Sequence, residues 1–110
     1  MDGRMELTER VARRAGVLVT ARCALRLISL EDAPAFLDGC ASERIRVLGI
    51  ERFTIDGASI VPDSDAIADF SSLGGTYSAE ESIDDARRFL RKAGRRGMLF
   101  EFTLKRETTR

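Results

Sequence analysis

The chain has 110 residues, of which 44% are hydrophobic and 33% charged, and it contains no histidine. This composition fits one packed core under a charged surface and excludes the low-hydrophobicity signature of disorder. The formal net charge is zero, but residues 1–30 carry three excess positive charges, residues 31–86 ten excess negative charges and residues 87–110 seven excess positive charges, an asymmetry that points to a partner surface.

Residues 5–15 place Leu7, Val11, Ala12 and Ala15 near one helical face, with Gly16 set to end the turn. From Val17 the period becomes two, and Val17, Val19, Ala21, Cys23, Leu25 and Leu27 predict a strand with one buried face. Ser29 or Asp32 then caps a helix that ends near Ala41, and Pro34 favours the start at Asp32. Residues 45–61 hold two β-rich runs joined by Asp56-Gly57, the signal of a two-residue hairpin in which Ile55 opposes Ala58 and Phe53 opposes Ile60. A bulge is expected at Gly49, where the apolar face changes sides. Pro62 is read as the end of pairing, with a short helix from Asp65 to Phe70 and a loop from Ser71 to Tyr77. Ser78-Ala-Glu-Glu81 is a capping box, opening a helix to about Ala93 with the stripe Ile83, Ala86, Phe89, Leu90 and Ala93. Met98, Phe100, Phe102 and Leu104 alternate with polar positions in a last strand.

The order of the principal elements is β-α-β-β-α-β. It predicts an α+β domain with an antiparallel four-stranded sheet, two main helices on one face and a ferredoxin-like arrangement. The reading takes 1–110 as a single domain, with 1–16 and 106–110 the segments expected to be poorly ordered. No run of about 18 apolar residues occurs. The charged amino terminus does not resemble a secretory signal, so a cytoplasmic location is expected, with no membrane span.

The absence of histidine removes His-based metal sites and Ser-His or Cys-His nucleophile pairs, so no catalytic residue and no cofactor are nominated. Cys23 and Cys40 are read as buried small hydrophobes. Asp63, Asp65 and Asp69 carry the oxygen ligands a hard cation prefers but lack the other ligands and the turn glycine of a calcium loop, so they read as caps on a solvated face. Gly74-Gly75-Thr76 is a turn rather than a phosphate loop. The basic run Arg87 to Arg96 has no stacking aromatic and the pI is about 6.3, which argues for a solvated helix face over a nucleic-acid surface. Glu51 is a candidate buried carboxylate: with an unbroken register it shares the face of Val47 and Phe53, whereas a bulge at Gly49 turns it to solvent.

Between Arg52 and Arg87 no basic side chain occurs, while Asp56, Asp63, Asp65, Asp69, Glu80 and Glu81 accumulate. Gathered in space, these carboxylates would form a surface that steers and holds a basic protein partner. The segments Ile45–Phe53, Pro62–Phe70 and Leu99–Leu104 resemble those of small bacterial immunity-type proteins. That resemblance implies a compact α+β domain that binds a cognate toxin and assigns no functional residue. The expectation is therefore a non-catalytic binding or regulatory module. The competing expectations are a small-ligand binder or enzyme with Glu51 or Glu101 in a sheet–helix pocket, and a homodimer joined through its terminal strands.

Overall fold

A computed structural model describes residues 3–22, 24–70 and 77–107, with the backbone alone for 3–6 and 64–66. Its elements are α1 (Gly3–Ala15), β1 (Thr20–Arg22), β2 (Leu25–Ser29), α2 (Ala33–Ser42), β3 (Ile45–Asp56), β4 (Ser59–Asp69), α3 (Ala79–Ala93) and β5 (Leu99–Arg106). Every strand pair is antiparallel, and the order across the sheet is β1-β2-β5-β3-β4. No helix among the described residues is long and apolar enough to cross a membrane.

The helices open where the side chains dictate. In α3 the Ser78 hydroxyl accepts from the Glu81 amide while the Glu81 carboxylate accepts from the Ser78 amide, both at 3.0 Å. Asp32 is the cap residue of α2, with Pro34 in the first turn, where a missing amide hydrogen costs nothing. The helical face read over 5–15 is part of α1, which buries Thr8, Val11 and Ala12 and ends at Gly16, whose φ is +72°. Residue 106 likewise belongs to β5.

Three strand expectations are corrected. The predicted strand over 17–27 is a hairpin, β1 against β2, with Arg22 facing Leu25; Cys23 lies outside the described residues. The β3–β4 turn uses Gly57-Ala58 as its loop, so Ile55 faces Ile60 and Phe53 faces Pro62. Only the first loop residue has a positive φ, +59° at Gly57, the pattern in which glycine takes the first central position. Pairing then continues past Pro62, and the segment expected to be helical from Asp65 to Phe70 is strand as far as Asp69. The long β3 offers backbone partners along this whole stretch, and an edge strand tolerates proline because one side of it has no ladder to complete. The loop expected over Ser71–Thr76, with its glycine pair, lies outside the described residues.

The α+β class and the single helical face are as expected, while the sheet has five strands and is not ferredoxin-like. In a ferredoxin-like sandwich the first and third strands of the β-α-β-β-α-β series are central. Here the second and fourth, β3 and β5, take that place. The reason lies in β5, whose Leu99 is buried on one face and whose Phe100, Phe102 and Leu104 are buried on the other, so it needs neighbours on both edges. Both edges of β5 are paired with β2 and β3, so of the two terminal strands only β1 lies at a sheet edge.

All three helices cover one side of the sheet. Val11, Phe36, Leu37, Cys40, Ile83, Ala86 and Leu90 pack there on Ile28, Ile45, Val47, Ile50, Phe100, Phe102 and Leu104. Phe36 and Phe102 approach with ring centroids 5.0 Å apart. The other side carries a small cluster, Leu27, Phe53 and Leu99, with Leu25 and Ile60 against it. It is buried because the sheet coils until its two edge strands meet at one corner, where Arg22 of β1 donates to the Ala58 carbonyl at 3.2 Å.

The coil depends on two breaks in register, between Val47 and Gly49 against β5 and between Glu51 and Phe53 against β4. At the first, the Val47 amide donates to the buried Ser82 hydroxyl of α3 at 3.0 Å, and that hydroxyl donates to the Ala79 carbonyl at 2.8 Å. Substitution Ser82→Ala leaves the buried amide without its acceptor. The expected cost is about 1–3 kcal/mol, read by chemical denaturation, together with faster hydrogen exchange at Val47.

Candidate functional site

The bulge decides which way Glu51 points. Ile45 and Val47 face the helices, one residue is then inserted, and beyond it Ile50 faces the helices while Gly49, Glu51 and Phe53 face the other side. Glu51 therefore parts from Val47 and keeps company with Phe53. It is half-buried, lying between the two alternatives of full burial and full exposure. One row of paired residues runs across the whole sheet here: Thr20, Leu27, Glu101, Glu51 and Ile67. Two carboxylates thus stand directly opposite one another on the central strands. In the next row Gly49 lies between Thr103 and Asp69.

These side chains line an open cleft of about 260 Å³ on the face without helices, together with Leu48 and with Ile67, which is 51% exposed. Glycine at position 49 keeps the bulge open at this point, since a Cβ there would come within 3.1 Å of the Ala68 carbonyl oxygen. Among the described residues the Glu51 carboxylate makes no hydrogen bond or ion pair. The space between sheet and helices, where a carboxylate pocket was expected, is filled by the main core, and Glu51 and Glu101 lie on the opposite face.

The other nominated acids do not join this cleft. Asp56 is exposed at the β3–β4 turn, separated from Asp69 by the length of β4, on the order of 30 Å of extended strand. Asp63 is engaged by Arg52, whose Nε donates to its Oδ2 at 3.0 Å while Nη1 donates to the Ala93 carbonyl at the end of α3. The side chain of Asp65 lies outside the described residues. Glu80 and Glu81 are exposed at the start of α3, where with Asp84, Glu107 and Arg44 they line a second cleft of about 470 Å³. Glu81 is held by the capping box, and Glu107 accepts from the Ala79 amide at 3.2 Å. Of the seven nominated carboxylates, Glu51 and Asp69 share the first cleft with Glu101, Glu80 and Glu81 share the second, and Asp56 and Asp63 join neither. Among the described residues no group of three or more histidine, cysteine, aspartate or glutamate side chains is arranged to hold a metal ion.

No family model, curated protein or solved structure matches the chain. The likeness to immunity-type proteins rests on the three sequence segments alone.

One charged residue escaped the sequence reading altogether. Glu43, at the exit of α2, is only 10% exposed, and its Oε1 draws Arg10 at 3.3 Å, Arg14 at 3.8 Å and Arg106 at 3.9 Å. It joins α1, α2 and β5 through one carboxylate, and its Oε2 is buried without a hydrogen bond among the described residues. No local pattern marks it, because its arginines come from opposite ends of the chain. The assignment of Cys40 to the core holds, and burial, followed by the nearby Glu43 charge, pushes its thiol up to about 12 from 9.0. A thiol in that state is not a nucleophile at neutral pH. Tyr77 donates to the Asp85 carboxylate, and desolvation, reinforced by that hydrogen bond, raises its phenol above the ordinary value.

The Cys40 shift has a directional consequence. The folded state keeps the proton that the unfolded chain releases near 9, so its contribution to stability is complete below pH 9 and is lost as pH rises toward about 12. In a Cys23→Ser background, a thiol reagent at pH 8 should leave Cys40 unmodified until denaturant is added, and the unfolding midpoint of that chain should fall above pH 9 more steeply than in a Cys23→Ser, Cys40→Ala chain.

Proposed function

We propose that the chain is a non-catalytic binding module that takes a basic polypeptide segment on the helix-free face of its coiled sheet. The observation that carries this reading is the pairing of Glu51 with Glu101 in register on that face, with Asp69 in the same cleft. Like charges directly opposite one another destabilise a sheet unless a counter-charge lies close by. A guanidinium or ammonium group set between them removes that repulsion and gains charge-assisted hydrogen bonds. Exposed Ile67 beside the cleft and exposed Ile55 nearer the turn supply apolar contact to the same segment, so the preferred ligand alternates basic and apolar side chains. Long-range attraction from the acidic middle of the sequence adds to the encounter rate more than to the affinity.

This reading keeps the expected basic partner but moves its site from the whole acidic stretch to Glu51, Asp69 and Glu101. An immunity-type role against a basic toxin is one biological setting for it. The competing pocket for a small ligand between sheet and helices has no observation in its favour.

Titration of the isotope-labelled chain with an Arg-Leu-Arg-Leu-Arg peptide tests the proposal by NMR. Shifts should gather at Gly49, Glu51, Ile67, Asp69, Glu101 and Thr103, and binding should weaken as ionic strength rises. Glu51→Lys should weaken it by about tenfold or more, the loss of a charge-assisted contact, while Asp56→Lys should leave it nearly unchanged. Shifts centred on Glu80, Glu81 and Asp84, or equal sensitivity to both reversals, would overturn the assignment.

A further inference from the structure

The helical side of the molecule has a groove of its own, chemically the opposite of the acidic cleft. Leu30, Pro34, Leu37 and Leu90 form its apolar floor between α2 and α3, and Arg87 and Arg91 stand on its α3 side. Its volume is about 350 Å³, at the lower end of the roughly 300–1,000 Å³ of small-molecule sites. Gly94 helps to shape it: a Cβ at that position would come within 2.6 Å of Leu30 Cδ1, so the bare glycine lets the Leu30 side chain lie at the end of the groove.

The two arginines are not equivalent. Arg87 is held by Asp38 at 2.7 Å and Asp84 at 3.4 Å. Arg91, one helical turn further on, is exposed and makes no ion pair or hydrogen bond among the described residues. The basic side chains that follow it, Lys92, Arg95 and Arg96, have no carboxylate partner among the described residues either. Positive charge without a local counter-charge therefore borders an apolar floor on one side only.

We infer that this groove binds a small anionic amphiphile, a carboxylate on an aliphatic tail of medium length. The tail lies over Leu30, Pro34, Leu37 and Leu90, and the head group takes the Arg91 guanidinium, whose planar fork matches a carboxylate with two parallel hydrogen bonds. Arg87 orients the head from the preceding turn without giving up its own carboxylates. Charge complementarity excludes a cationic ligand, and the one-sided placement of charge fits a ligand with a single polar end. The site shares no residue with the acidic cleft, so it stands or falls apart from the proposed function.

The test is an NMR titration of the whole chain with decanoate below its micelle concentration, beside decyltrimethylammonium of the same tail length. Decanoate should give saturable shifts of the Leu30, Leu37 and Leu90 methyl groups and of the Arg91 side chain, and the cation should not. Arg91→Glu should weaken decanoate binding by about tenfold or more. Pro34→Asp, at an exposed position in the first turn of α2, should do the same by setting a charge in the apolar floor under the tail. Equal binding of both amphiphiles, shifts centred away from the groove, or no saturation in the millimolar range would overturn the inference. The comparison of the two head groups decides the matter even if a variant folds poorly.

Discussion

The hydrogen bond from the Val47 amide to the Ser82 hydroxyl holds the break in β3 on which the arrangement of the sheet depends. A bulge frees backbone groups from the ladder, and a freed amide inside the protein is costly unless something accepts from it. Ser82 does so from the buried face of α3, and its own hydrogen goes to the Ala79 carbonyl, so the device is satisfied internally. With the bulge secured, the two halves of β3 present opposite alternations. Ile45 and Val47 feed the main core, and two residues later in phase the same side of the strand would have carried Gly49 and Glu51. The inserted residue sends Ile50 to the core and Glu51 to the open face.

The same break lets a long hairpin coil. A flat five-stranded sheet covered on one side would leave Leu27, Phe53 and Leu99 in water. Coiling closes the corner between β1 and the β3–β4 turn over them, at the cost of an open, acidic mouth further along. Two ionic joints fasten the pieces. Arg52 ties the second bulge to the end of α3 through Asp63 and the Ala93 carbonyl. Glu43 gathers arginines from α1 and β5, which come from the two ends of the chain. Because Glu43 is mostly buried while its arginines are half in water, its value lies more in specifying how α1 docks than in net stabilisation.

Charge is thus divided by face as well as by sequence. Carboxylates gather on the helix-free side and at the start of α3, and the bases without a carboxylate partner among the described residues lie at and beyond the later turns of α3, beside an apolar groove. A chain of zero net charge consequently offers two surfaces of opposite sign, with no general attraction to either class of polyion.

Local chemistry was legible in the sequence wherever a short-range rule operates. The capping box of Ser78 and Glu81, the alternation from Met98 to Leu104, the break at Gly49 and a turn at Gly57 are each settled within a few residues. Three-dimensional neighbours were not legible. The central place of β5 follows from burial on both its faces at once, and only that place sets Glu101 against Glu51. Likewise, Asp63 reads as one more free acid until the fold brings Arg52 to it, and Glu43 has no signature at all because its partners are far away in the chain. The sequence by itself determined the three helices, the last strand and the segregation of charge, since propensity, capping and periodicity act over single turns. Which strands became neighbours, and hence which carboxylates share a cleft, was decided by the tertiary structure, because strand pairing joins residues that no local period connects.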